Sequence, residues 1–243
     1  MKWEDDMKRY EIYSNTEIPP GSAFAVRVDG RSFHKEVERM ALSRPLDRKL
    51  RDAMVEAATA VMKDFLLPLA YTESDEATFL FPKEYAGFNR RPEKIASLVA
   101  ARMSVAFNNT PLVKGTKVEP IFDARVLVLP TEKDVDRCFK WRIGDSKRNC
   151  VSTYCFWTMV NNGVKKSKAQ KIMDGMKDAE KLQYLKMRGI NYDKITDWER
   201  HGTVIKRVPY AKAGYDPIAK VAVVATRYKF VATDGCLIWR ALS

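Results

Sequence analysis

AFAVRVDGRSFH, residues 23–34, reads as a short buried strand that stops on Asp29-Gly30 and releases a polar, basic turn. Val26 and Val28 share one face and Ala25 and Arg27 the other, while Gly30 offers backbone freedom where the strand stops. A carboxylate at the tip of a core strand, followed by glycine and several free N–H groups, suits a metal ion and a phosphate. Taken by itself, an Asp-Gly pair is better read as the ordinary ending of a strand by a turn. The surroundings decide between the two.

Downstream, Leu46, Leu50, Met54, Ala57, Ala58, Val61, Met62 and Phe65 recur at helical spacing until Pro68. Leu69–Thr72 and Ala77–Phe81 read as strands joined by a tight turn, Glu73-Ser74-Asp75-Glu76. Pro92 suits the first residue of a helix reaching Phe107, and FDARVLVL (122–129) is a further strand closed by Pro130. Residues 23–130 thus run β-α-β-β-α-β, the ferredoxin-like order of an α+β fold. In that topology the first and third strands lie side by side and antiparallel. Asp29 and the Asp75 turn therefore fall at one edge of the sheet, although 46 residues separate them.

After residue 130 the texture changes. Thr131 and Asp134 resemble an N-cap pair for a helix through Trp141; a second helix is expected over 147–162, and Ser167 with Gln170 suggests a capping box for a third. TVIKRV (203–208) and AKVAVVATRYKF (219–230), around a turn-rich YAKAGYDP, predict a long basic hairpin. Two regions follow: 1–130, a catalytic domain with an N-terminal arm, and 131–243, helical and hairpin additions packed on it. The charge divides the same way. Residues 1–130 carry 20 Lys and Arg against 19 Asp and Glu, and residues 131–243 carry 23 against 12, so nearly all of the net +12 sits in the second half. One half for chemistry and one for gripping a polyanion is the reading this suggests.

No stretch approaches the ~20 apolar residues of a membrane span, and the charged N-terminus has no apolar signal core. Cys138, Cys150, Cys155 and Cys236 show no CxxC pairing, and with two histidines a zinc site is not expected. Cys138 and Cys155 fall in apolar helical patterns as buried thiols. A reducing cytoplasm is the expected compartment.

Two carboxylates at adjacent strand ends suit two divalent ions in phosphoryl or nucleotidyl transfer, with magnesium the natural ion for few, all-oxygen ligands. At this point a family resemblance enters. RVDGRSFH (27–34), SDEATFLF (74–81), FNRRPEK (88–94) and FDARV (122–126), with WRIGD (141–145), FW (156–157) and GTV (202–204), resemble the tRNA-His guanylyltransferase family of 3′–5′ polymerases. The resemblance implies a polymerase-type palm and a two-magnesium site of Asp29, the Gly30 carbonyl and Asp75, with Glu76 at the third acidic position. It implies a nucleotide site of Asp29, Gly30, Arg31, Ser32, Phe33, His34, Ser74 and Asp75. Arg27, Arg44, Arg90, Arg91 and Lys94 become candidates for the triphosphates and the 5′ phosphate. Lys147, Arg148, Lys165, Lys166, Lys206, Arg207 and Lys212 become candidates for the tRNA body.

The implied activity activates a tRNA 5′ phosphate with ATP or GTP; the 3′-hydroxyl of an incoming nucleotide, mainly GTP, then attacks it. Members specific for tRNA-His commonly continue after WR-x-x-D with His-Ile-Asn-Asn-Leu-Tyr-Asn. Here residues 147–153 read KRNCVST. That departure points to the branch that adds nucleotides by template and repairs truncated tRNA 5′ ends. A homodimer or homotetramer is implied as well. The competing readings are a nucleotide cyclase on the same palm, which leaves the basic half unexplained, and a non-catalytic RNA-binding module. Such modules read bases with aromatics on the sheet, whereas the third strand here begins with acids.

Overall fold

A computed structural model describes residues 3, 7–216, 218 and 220–235 of the chain. Its centre is β1 (Ala23–Gly30), flanked in sequence by a short helix α1 (Phe33–Arg39) and the long α2 (Arg48–Phe65). Then come β2 (Leu69–Glu73), β3 (Glu76–Phe81), α3 (Pro92–Asn108) and β4 (Phe122–Leu129). The second half adds α4 (Glu132–Asn161), α5 (Lys166–Asp174), α6 (Asp178–Met187), α7 (Asp197–His201), β5 (Thr203–Asp216) and β6 (Val221–Asp234). All pairings are antiparallel and the strand order is β4-β1-β3-β2-β5-β6. The first four places are the ferredoxin-like order, and the basic hairpin extends the same sheet through β2.

Alternation along β1 builds the layers. Phe24, Val26 and Val28 enter the main core with Met54, Val61 and Met62 of α2 and Ile95, Val99 and Met103 of α3. Ala25 faces the other way, into a smaller core with Tyr71, Leu80, Val135, Phe139 and Ile143 beneath the first half of α4. A third cluster, around Val151, Cys155, Met159 and Leu185, ties the far half of α4 to α5 and α6.

Several local expectations need correction. The two helices expected over 131–162 are one helix of 30 residues, begun by the expected Thr131–Asp134 capping box. The polar run between them is no break, because Arg142 and Ser146 are buried on the sheet side. Ser167 caps nothing: it lies inside α5, whose N-cap is Lys165, and Gln170 bonds Asp174 at 2.7 Å. The segment Tyr210–Asp216 is strand, not turn; Pro217 lies outside the described residues, as does Cys236. Cys138, Cys150 and Cys155 are free and buried. No helix among the described residues is long and apolar enough to cross a membrane.

Candidate active site

β1 and β3 end together. Asp29 pairs with Glu76 and with Asp123 of β4. One residue on, the Gly30 N–H donates to the Asp75 carbonyl at 3.2 Å. The glycine there serves space rather than backbone freedom. Its φ is not in the left-handed region, but a Cβ would overlap the edge of the Phe33 ring, 2.8 Å from its Cγ, and stand 3.0 Å from Asp75 Oδ2. Ser74, in the turn, is the residue that takes a positive φ, 46°. Its hydroxyl reaches Asp75 Oδ1 at 3.0 Å.

Electrostatics at this edge are uneven. Burial, with Asp29 and Glu76 adding like charge, pushes the Asp75 carboxyl up to about 6. Among the described residues its hydrogen-bond partners are the Ser74 hydroxyl and its own backbone N–H, with no cation at ion-pair distance. Glu76 is raised by burial despite Arg142 at 2.7 Å and Arg27 at 3.4 Å. Arg27 also reaches Asp29 at 3.5 Å and sits over the Trp141 ring. Among the described residues no three His, Cys, Asp or Glu side chains form a metal-holding group. A cation here would rest on the carboxylates of Asp29 and Asp75 and on backbone carbonyls. That hard, all-oxygen set with surplus negative charge fits magnesium.

Behind the edge lies a residue that sequence reasoning missed. Arg142, only 2% exposed at its side chain, holds Glu73 at 2.9 Å, Glu76 at 2.7 Å, and Asp145 one helical turn on. Burial still drives Glu73 up to about 7 against the pull of Arg142. Arg142 therefore fixes Glu76, Glu76 faces Arg27, and Arg27 reaches Asp29. The available signal was an arginine at a position in register with the apolar residues Cys138 and Phe139.

In front of the edge opens a cleft of about 630 Å³ lined by Gly30, Ser32, Phe33, His34, Ser74 and Asp75 on one side. Arg44 belongs to its wall, as do Thr153, Phe156 and Trp157 of α4 and Lys166 and Gln170 of α5. The Arg44 guanidinium lies 4.7 Å above the Trp157 ring and the Lys166 ammonium 5.6 Å from it. Lys166 also pairs with Glu38 at 2.7 Å. Lys166, grouped from the sequence with the tRNA body, thus stands at the nucleotide-sized cleft, and His34 is exposed at its rim.

The other predicted cations disperse. Arg90 is corrected outright. Its guanidinium donates to the carbonyls of Ile18, Pro19, Ser22, Lys83 and Tyr85, leaving it no N–H group for a phosphate. Arg91 and Lys94 line a separate cavity with Tyr10–Ser14. That cavity sits at the N-terminal end of β1, roughly 20 Å from Asp29 at ~3.3 Å per strand residue, so neither joins the cleft. Lys147 and Arg148 are exposed on α4, and Arg148 pairs with Asp145. Lys165 is exposed beside α5, while Lys206, Arg207 and Lys212 belong to the hairpin. Arg207 stacks on Tyr228 at 3.7 Å and donates to the Leu66 carbonyl.

Two family models match the chain. A family model described as tRNAHis guanylyltransferase matches residues 4–130, and one described as Thg1 C terminal domain matches 133–229. A probable tRNA(His) guanylyltransferase of Drosophila melanogaster is 33% identical over 213 residues, covering 82% of this chain and 73% of that protein. A tRNA(His) guanylyltransferase of Debaryomyces hansenii is 34% identical over 207 residues, covering 81% and 78%. Among solved structures, a bacterial Thg1-like protein in complex with ATP superposes with a TM-score of 0.74 at 22% identity over 99% and 96% of the two chains. The Saccharomyces cerevisiae tRNA(His) guanylyltransferase superposes with a TM-score of 0.71 at 24% identity over 82% and 91%. At those identities the likeness is one of fold.

Proposed function

Since this chain belongs to the tRNAHis guanylyltransferase family, we propose that it adds nucleotides, mainly guanylate from GTP, in the 3′–5′ direction to a tRNA 5′ end. One observation carries the assignment. Asp75 and Gly30 line a nucleotide-sized cleft shared with the cationic and aromatic side chains of Arg44, Trp157 and Lys166, and Asp29 precedes Gly30 on the strand that ends there. Asp29, Asp75 and the Gly30 carbonyl would hold two magnesium ions. When bound, such ions lower the pKa of a hydroxyl nucleophile and neutralise triphosphate charge.

The chain's own groups supply the rest. The turn from Gly30 to His34 and the Ser74 hydroxyl hold the nucleoside triphosphate, ATP or GTP. Arg44 and Lys166 set positive charge across the cleft from Asp75. Arg142, through Glu76 and Arg27, keeps Asp29 in place. No side chain here is the nucleophile; that role falls to the 3′-hydroxyl of the incoming nucleotide, attacking an activated 5′ phosphate. The basic second half grips the tRNA body, the protein works in the cytoplasm, and the active unit is a homodimer or homotetramer.

The KRNCVST segment at 147–153 supports templated addition. A primer-extension assay on a 5′-truncated tRNA tests it, with the base opposite the vacant position varied. Guanylate is expected opposite cytosine at least tenfold faster than opposite adenine. Equal rates would rule the templated reading out.

A further inference from the structure

Arg44 reaches the cleft from the segment between α1 and α2. That segment is tied to the start of α2: the Ser43 N–H donates to the Asp47 carboxylate at 2.7 Å, and Asp47 caps the helix by accepting from the Lys49 N–H at 2.7 Å. The Arg44 guanidinium lies 4.7 Å above the Trp157 ring and, among the described residues, makes no hydrogen bond or ion pair. Its N–H donors are therefore unspent, unlike those of Arg90, which serve five carbonyls.

Trp157 is not there to fill the core. It is half-buried and, among the described residues, belongs to none of the three apolar clusters. Its neighbour Phe156 packs on the third cluster and meets the Trp157 ring at right angles, with centroids 5.3 Å apart. The indole is thereby anchored on α4 while its ring lines both the cleft and an adjoining cavity of about 400 Å³.

An aromatic face and a carboxylate hold a cation with different results. A carboxylate cancels the charge it holds, whereas a ring attracts through its quadrupole and leaves the charge in place for an anion. Lys166 shows the contrast. Its ammonium lies 5.6 Å from the same ring but is already paired with Glu38 at 2.7 Å. Arg44 is the cation that the ring keeps both placed and uncompensated.

We propose that Trp157 is a positioning residue whose ring holds the Arg44 guanidinium toward the polyphosphate tail of a nucleotide in the cleft. The inference rests on the nucleotide site proposed above and adds to it the group that aims its principal cation. A planar guanidinium suits the task, because it can stack on a ring and still grip two phosphate oxygens. The ligand part concerned is the phosphate chain and not the base. A base stacked on that face of Trp157 would have to displace the guanidinium.

Displacement of labelled GTP by inorganic triphosphate and by guanosine, with magnesium present, separates the two parts of the nucleotide. Trp157→Leu is expected to weaken inorganic triphosphate roughly fivefold to thirtyfold, the range of a partly desolvated cation–π contact. Guanosine should weaken by less than about twofold in the same variant. Trp157→Phe keeps an aromatic face and should stay within about threefold of the unaltered protein for both probes. Arg44→Ala should lose at least as much triphosphate affinity as Trp157→Leu, and the double variant no more than about twofold beyond Arg44→Ala alone. Equal weakening of guanosine and triphosphate in Trp157→Leu would make the ring a base platform and overturn the inference. Unchanged displacement by triphosphate, or single losses that simply multiply in the double variant, would overturn it as well. Those results leave the cleft standing. Unaltered protein that binds no GTP would bring down the nucleotide cleft and the inference with it.

Discussion

Gly30 ends a strand, begins the turn under the cleft and leaves room for the Phe33 ring and the Asp75 carboxylate within 3.0 Å of where a Cβ would be. Gly30→Ala must therefore displace one of them. A shift of ~1 Å in a reacting group costs about a hundredfold in rate, so kcat/KM for GTP addition should fall by that order. An unchanged kcat/KM would show that the close packing does not matter to the site. The neighbouring acids have a second consequence. Glu73 at about 7 and Asp75 at about 6 both titrate above the ordinary carboxylate range, because burial disfavours their charged forms. Between about pH 4 and 7 the folded chain therefore binds more protons than the unfolded one, and stability falls as pH rises through that window. The two groups, each raised by a little over two pH units at about 1.36 kcal/mol per unit, put the drop at roughly 6 kcal/mol. Thermal melts from pH 4 to 8 without divalent ions should show it in the wild type, with a flatter profile in the Glu73→Gln, Asp75→Asn double variant. Parallel profiles would contradict it.

The strands of the first half were legible to within two residues, because their patterns are short, apolar and punctuated by Gly and Pro. Phe122–Leu129 and the pairing of β1 with β3 are as expected. The long α4 was not, since WRIGDSKRN reads as a polar interruption. Burial of Arg142 against Glu73 and Glu76 turns that polar run into a buried face, and no local pattern announces carboxylates contributed from β2 and β3. Arg90 misled for the converse reason: from sequence an arginine is a phosphate ligand or a surface charge, and here it is the staple for five carbonyls. At the element scale Gly144 offers a test. It lies inside α4, where a Cβ would meet only the Arg148 guanidinium, at 3.5 Å. Gly144→Ala should therefore stabilise the chain by roughly 0.5–1 kcal/mol in urea denaturation. Destabilisation would mean that α4 needs a bend at that point.

Across the whole molecule the sheet separates the site proposed for catalysis from the projecting hairpin. The catalytic edge, the cleft and the α4–α5 wall share one end, while the hairpin and the N-terminal arm share the other. The central claim is that Asp29 and Asp75 act together on nucleotide chemistry and not on RNA binding. Its most direct test measures labelled GTP incorporation into a 5′-truncated tRNA by Asp29→Ala and Asp75→Ala, with tRNA affinity determined alongside. The account predicts that each substitution lowers incorporation by at least about a thousandfold, while tRNA affinity changes less than threefold. Incorporation that survives in both variants, or that falls only in step with lost tRNA binding, would contradict it.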